Sequence, residues 1–372
     1  MSADSIAVTG WSVVSGTAFG TAEFTAAVQS GGSGPVAVDE MFDEPLPVGK
    51  AYAMPTFSAR EHLGRKGSSS LDRTTALAAV GCGQALADAS VTVDEESRRR
   101  FGIVLGTTAG SVRATSEFSR ATVVEDKPYH VNPVLFPTAV MNCAAGHSAI
   151  RYGLKGVNAT VAGGQLAGVQ CLRYARNLIG RGYADAVLVG AAEEFSPHTA
   201  WADHLRWGGQ GVPQGEGAVV FVTERTSEVR AAGRTPEAEV LAAQVGTVLP
   251  GASAAEALAG CVGHALSQAG VRADEVWAVS TGERGIPERD EPESASVDAV
   301  FGARAKRVRV KELVGECHAA SGAFQVAALL AAHRADAGLD GRVSVVTGVT
   351  SDGAVGAVVL RGWRRASGDH GV

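Results

Sequence analysis

The sequence is short of charge, of aromatic side chains and of cysteine. Only 19% of its 372 residues are Asp, Glu, Lys or Arg, 6% are aromatic and 5 are cysteine. Basic residues number 33 against 39 acidic ones, a formal charge of −6. The basic field that a nucleic-acid surface needs is therefore missing. The cysteines, at 82, 143, 171, 261 and 317, fall at no CxxC spacing and are odd in number. That argues against a disulfide framework or a zinc site and fits a reducing compartment. No apolar run reaches transmembrane length, and no charged opening region leads into an apolar stretch. A soluble cytoplasmic protein is expected, with neither membrane nor nucleic acid among its partners. Low-complexity segments are lacking as well. What the chain does have is glycine, 47 residues of it, and an apolar fraction of 45%. Disorder is thereby excluded, and a chain this long can bury a large core as two domains or as one duplicated unit.

Short β-branched runs alternate with Ala/Leu-rich stretches, the mark of a layered α/β fold. Strands are predicted at Ile6–Thr9, Gly102–Leu105, Ala186–Val189 and Ala218–Val222, with long helices over Leu71–Ala89 and Leu166–Arg181. In the second helix Leu166, Val169, Leu172, Ala175 and Ile179 share one face at spacings of three and four. A polar stretch after Thr226, SEVRAAGRTPE, reads as a connector, after which the pattern restarts. Strands are predicted at Ala238–Leu241, Val276–Ser280, Val308–Val310, Ser344–Val346 and Ala357–Leu360, with helices near Ala254–Gln268 and Ala319–Ala335. The repeated order suggests an internal duplication, although no fixed-period repeat is visible. Arg364–Val372 reads as a frayed tail.

Three segments crowd small residues at a helix start beside an apolar strand: ATVAGGQLAGV (159–169), STGERGIPERD (280–290) and KELVGECHAASG (311–322). Small residues let backbone approach closely, and a helix N-terminus supplies oriented N–H groups. Around them lie VTGWSVVSGTAFG (8–20), LDRTTALAAVGCGQAL (71–86), VNPVLFPTAVMNCAAGHSAIRYGLKGVN (131–158), RGYADAVLVGAAEE (181–194) and GEGAVVFV (215–222). In this order the segments resemble those of the β-ketoacyl synthases across nearly the whole chain. The resemblance implies a thiolase-like fold, a duplicated α/β/α/β/α layered sandwich with halves at 1–226 and 227–372. No cofactor or metal is implied.

The departures from that family carry more information than the matches. Where the family has its nucleophilic Cys the chain has Gln165; its two catalytic His fall on Gly282 and Glu316, and only Lys311 matches. An amide is neither nucleophilic nor appreciably basic, and neither Gly282 nor an ionised Glu316 replaces a neutral imidazole donor. Deleting members of one catalytic unit costs rate factors on the order of 10⁶. No catalytic residue is therefore assigned. Gln165 with both His lost resembles the chain length factor, the ketosynthase β subunit of type II polyketide synthases. Such a subunit pairs with an active ketosynthase α subunit and shapes the tunnel of the growing polyketide, whose units arrive on acyl carrier protein. Loading-type ketosynthases, which decarboxylate malonyl groups, share the Gln but keep both His, and rank second; a non-enzymatic scaffold is a further alternative.

The same resemblance assigns further roles. The chain-length gate falls on Val112, Thr115 and Ser119, on one helical face, with Phe118 one step away. Without two bulky aromatics there, a long or slim cavity is expected, as for a linear or reduced polyene. The dimer interface falls on Asn132, Pro133, Val134, Leu135, Phe136, Met141 and Asn142. Gln165 is expected to face that interface and to hydrogen-bond within a filled, vestigial pocket. Arg65, Lys66, Arg151 and Lys155 are docking candidates for an acidic carrier protein. The 201–215 segment is much shorter than the family's loop, which leaves a lid role in doubt. The family's gating loop falls on Thr350–Gly353 without its Phe, in keeping with no acyl group entering this subunit. Cys171 reads as a buried hydrophobe, His147 as a packed core residue and His264 as a surface residue. His318, beside the old catalytic position, is an unpromising substitute for the lost His.

Overall fold

The structure, a computed structural model, describes residues 5–303 and 305–364. The proposed tail beyond Arg364 and the side chain of Val134 lie outside the described residues. The main strands are β1 (Ile6–Ser15), β2 (Phe101–Thr107), β3 (Asn158–Ala162), β4 (Ala186–Glu193) and β5 (Gly217–Arg225), then β6 (Ala238–Thr247), β7 (Val276–Ser280), β8 (Arg307–Val308), β9 (Val343–Val349) and β10 (Ala354–Gly362). They form one ten-stranded sheet in the order β8-β7-β9-β10-β6-β1-β5-β4-β2-β3. Adding five to each number of β3-β2-β4-β5-β1 gives β8-β7-β9-β10-β6, so the second half repeats the first. Parallel and antiparallel pairings repeat as well. The halves join where β1 meets β6 antiparallel, Ile6 opposite Val240 and Val8 opposite Ala238.

Helices make the other layers: α1 (Arg73–Asp88), α2 (Val112–Val124), α3 (Cys143–Tyr152), α4 (Ala167–Gly180), α5 (Pro197–Trp207), α6 (Ala254–Ala269), α7 (Pro287–Phe301) and α8 (Ser321–Ala335). The β-branched strands are buried on both faces, as sheets covered by helices require. Helix α4 packs with α8 in the central layer, and both fill the main core with Leu172, Ile179, Phe324 and Leu329. Glycine makes that crossing possible: a Cβ on Gly168 would sit 2.7 Å from the Ala323 amide nitrogen. Leu77, Leu86 and Ile103 pack under α1 on the outer face of the first half, and Leu258, Val262 and Val359 under α6 on that of the second. Local signals fix the helix ends. Asp72 caps α1 at the Thr75 amide, Ser253 and Glu256 box the start of α6, and left-handed Gly270 ends it.

Most strands run longer than predicted, Val276–Ser280 matches its prediction, the strand predicted at Val308–Val310 is the shorter Arg307–Val308, and three features differ in kind. The Thr226 connector contains a short helix, Thr226–Ala231. Strand β3 was read as part of a helix start, being five residues long beside Gly163 and Gly164. Of helix α7 only the start, within 280–290, is signalled in the sequence; its body is not, because PERDEPESASVDAVF is polar, carries Pro292 internally and shows no clear apolar stripe.

Candidate functional site

Gln165 lies on the turn Gly164–Leu166 between β3 and α4, where Gly164 adopts a left-handed φ of 54°. Its amide Nε2 donates to Glu316 Oε2 at 3.3 Å. Lys311 Nζ reaches the same carboxylate oxygen at 2.8 Å, and Arg284 Nη1 is 3.8 Å away. The other oxygen, Oε1, accepts the His318 amide at 2.9 Å and the Ser321 hydroxyl at 3.0 Å. Three of the positions aligned with the lost catalytic set thus converge as Gln165, Glu316 and Lys311. Glu316 is fully buried, which by itself would raise its pKa; the positive charges of Lys311, His318 and Arg284 outweigh that and hold it at about 2. It is a buried anion with its charge matched, not an acid–base group.

Gly282 stands apart from that cluster. Its amide donates to Glu293 Oε1 at 2.9 Å, and a Cβ there would come within 3.3 Å of Glu293 Oε2. No thiol substitutes for the missing nucleophile. All five cysteines are buried, and burial raises every thiol, Cys82 to about 12 and Cys143 and Cys261 to about 11. Cys171 is a fully buried hydrophobe, as expected.

The pocket expected to be filled is open. A cavity of ≈ 430 Å³ reaches from Gln165 to Val112, Glu193, His318 and Trp207, and a second of ≈ 260 Å³ runs from Gln165 past Gly282 and Lys311. The shortened 201–215 segment supplies one wall through α5, whose Ser196 capping box and left-handed Gly208 define its ends. The former gating loop supplies the opposite wall, and Arg206 bonds the Ser351 hydroxyl across the space. Both segments line the cavity. Trp207 carries three guanidinium groups within 5.0–5.1 Å of its ring centre, those of Arg206, Arg284 and Arg289. His318 also faces the cavity, with a left-handed φ of 43°; burial lowers its pKa against the opposing pull of Glu316 and Asp203. A larger, mostly acidic cleft of ≈ 560 Å³ along α7 contains none of the predicted positions.

Of the predicted gate residues, Val112 is half-buried on the cavity wall. Thr115 is exposed and donates to the Ala139 carbonyl at 3.0 Å, Phe118 packs on Phe136 with ring centres 5.8 Å apart, and Ser119 is exposed. Asn132, Pro133, Phe136, Met141 and Asn142 are exposed and Leu135 half-buried, and Met141 lines a small pocket with Thr160 of edge strand β3. Arg151 bonds the Leu63 carbonyl and so stands beside the exposed Arg65 and Lys66, whereas Lys155 joins the Arg98 backbone. His147 is half-buried on α3, away from the site and outside the core. Sequence reasoning missed Glu193 and Glu194, although consecutive Glu residues ending an apolar strand were a visible anomaly. No helix among the described residues is long and apolar enough to cross a membrane.

Comparison with known proteins places these features. The family model of the β-ketoacyl synthase N-terminal domain matches residues 3–228, and that of the C-terminal domain residues 241–337. A 3-oxoacyl-[acyl-carrier-protein] synthase 2 of Staphylococcus aureus is 25% identical over 309 residues, 76% of each chain. A solved structure described as the ishigamide ketosynthase/chain length factor superposes with a TM-score of 0.87 at 37% identity, covering 96% of this chain and 99% of that one. A type II acyl-carrier protein in complex with its ketosynthase, AntDE:AntF, matches at a TM-score of 0.78 and 19% identity over 96% and 99% of the two chains; at that identity it attests the fold alone.

Proposed function

The chain belongs to the β-ketoacyl synthase family, and from that premise we propose that it acts as a chain length factor. In this reading it is the non-condensing partner of an active ketosynthase α subunit, and it shapes the space in which a carrier-bound polyketide, such as a linear polyene, grows. One observation carries the reading. At the position where the family's nucleophile stands, this chain has an amide bonded to a buried, charge-matched Glu316–Lys311 pair. Such a cluster can neither attack a thioester nor relay a proton, so condensation must be done by another subunit.

The surface supports a partner of that kind. Strand β3 ends the sheet, with Met141 and helix α3 beside it, and Phe136, Met141 and Ile150 are 57%, 48% and 81% exposed. Exposed apolar side chains beside an open sheet edge form an association surface. The opposite edge, β8, is two residues long and clothed in charge, Arg307 pairing with Glu283 and Asp298. The proposed halves, 1–226 and 227–372, divide the chain at the start of the short helix Thr226–Ala231 that links β5 and β6. In this reading the protein works in the cytoplasm, with Arg65, Lys66 and Arg151 available to an acidic carrier.

Co-expression with an intact ketosynthase and carrier protein tests the proposal: a stable heterodimer is expected, and its product should shorten when Val112 is replaced by Phe. Failure to form that complex would refute the reading. The open cavity above Gln165 favours one second reading, a malonyl-carrier decarboxylase. CO₂ release by the purified chain from malonyl-carrier protein, without any partner, would establish it.

A further inference from the structure

We propose that Glu194 is a positioning residue for chain-length selection: it grips the residues on both sides of Val112 and so fixes where that side chain stands at the cavity wall. The proposal rests on the reading of Val112 as a gate. Helix α2, which begins with Val112, has no buried residue along its length. Most protein helices are held by burial of an apolar face, whereas here Val112, Ala114, Phe118 and Ala121 are only half-buried within this chain. Its attachment is instead at its start. The Ser111 hydroxyl donates to Glu194 Oε2 at 2.9 Å, and the Arg113 amide donates to Oε1 at 2.9 Å. The two bonds bracket Val112.

The grip is anchored in the core. Thr74 of α1 donates its hydroxyl to Glu194 Oε2 at 3.3 Å, tying the carboxyl to the outer helical layer. The neighbouring Glu193 accepts the Thr107 hydroxyl at 3.1 Å and the Thr108 amide, and so holds the loop that leads into α2. Both carboxyls are 2% exposed, and every hydrogen bond named here comes from a neutral donor. Burying two consecutive carboxyls in this way is costly, so a strand end that served the core alone would be apolar. Farther along, α2 meets the rest of the chain through the exposed Thr115, which donates to the Ala139 carbonyl, through the half-buried Phe118 on Phe136, and through packing against α5. The end that carries Val112 is the end that is pinned.

The test uses the chain assembled with its ketosynthase and carrier protein, comparing Val112→Phe, Glu194→Ala and Glu194→Gln. Val112→Phe should shorten the product. Glu194→Ala should broaden the length distribution, the share of the main product falling about threefold, the scale of one lost neutral hydrogen bond. Glu194→Gln keeps an acceptor for the Arg113 amide and should restore the parent distribution. Amide exchange of residues 107–124 in the complex should run about tenfold faster in Glu194→Ala, the scale of a lost helix cap, with α1 unchanged. A parent-like distribution from Glu194→Ala while Val112→Phe shifts it overturns the proposal and leaves the gate standing. No effect of Val112→Phe overturns the gate reading and this proposal with it. Should Glu194→Ala not fold, Ser111→Ala removes one of the two grips together with the hydroxyl cap on the Ala114 amide, and Thr74→Val removes only the anchor of the carboxyl; broadening is expected from both, and an unchanged distribution in both overturns the proposal.

Discussion

Glu316 in the second half and the Glu193–Glu194 pair in the first are all buried, yet the molecule treats them in opposite ways. Glu316 has Lys311 at 2.8 Å and Arg284 at 3.8 Å, so its charge is kept and its pKa held at about 2. The other two carboxyls are bonded to hydroxyls and backbone amides. Burial, only partly offset by those bonds, raises Glu193 to about 8 and Glu194 to about 7. Burial alone therefore does not decide ionisation; the presence of a cation does. The charge-paired carboxylate takes the Gln165 amide, and the pair with raised pKa holds the start of the helix that lines the cavity.

Breaking the ionised site should have the largest effect. Lys311→Met leaves Glu316 buried without its closest cation and should cost about 3–5 kcal/mol in denaturant unfolding. Adding Glu316→Leu should recover most of that loss, because the pair is coupled. A Lys311→Met cost below about 1 kcal/mol would erase the contrast between the two sites.

The pH dependence of stability sharpens the contrast. Glu193 and Glu194 bind protons more tightly folded than unfolded. Their contribution is fully present below the unfolded value of 4.5 and is lost as pH rises through about 7 and 8. Glu316 has the opposite sign: its contribution is present above 4.5 and is lost as pH falls towards about 2. The double variant Glu193→Gln/Glu194→Gln should flatten the alkaline slope between pH 5 and 8, each unit of removed shift being worth about 1.4 kcal/mol. Its acid limb should stay unchanged, as urea unfolding at several pH values would show. The smallest effect is expected at Gln165, whose single bond to Glu316 is long: Gln165→Ala should cost about 0.5–1.5 kcal/mol, read from the shift of the unfolding midpoint.

Much of the fold was legible in the sequence because its signals are local. Val276–Ser280 was placed to the residue, and α1, α4, α6 and α8 within two residues of most ends, since periodicity and caps lie within each segment. Strand β3 and the body of helix α7 were not legible. The first is short and takes its register from Ile103–Thr107, and the second is polar and is held by packing against α6. At the site, the absence of Cys and His chemistry at 165, 282 and 316 was readable directly. The open pocket was not, because the side chain replaced says nothing about whether its neighbours close the gap.

Residue identity alone settled which functional groups stand at 165, 282 and 316, an amide, a bare backbone and a carboxyl, since reactivity is a property of the functional group. Tertiary structure alone decided the charge states and the space. Arg284, Trp207, Ser351 and Val112 are far apart in the chain, and only folding brings them around one cavity. Whether a buried carboxyl is an anion or a neutral acid likewise depends on which distant side chain lies within a few ångströms, because electrostatic energy follows distance in space and not separation along the chain.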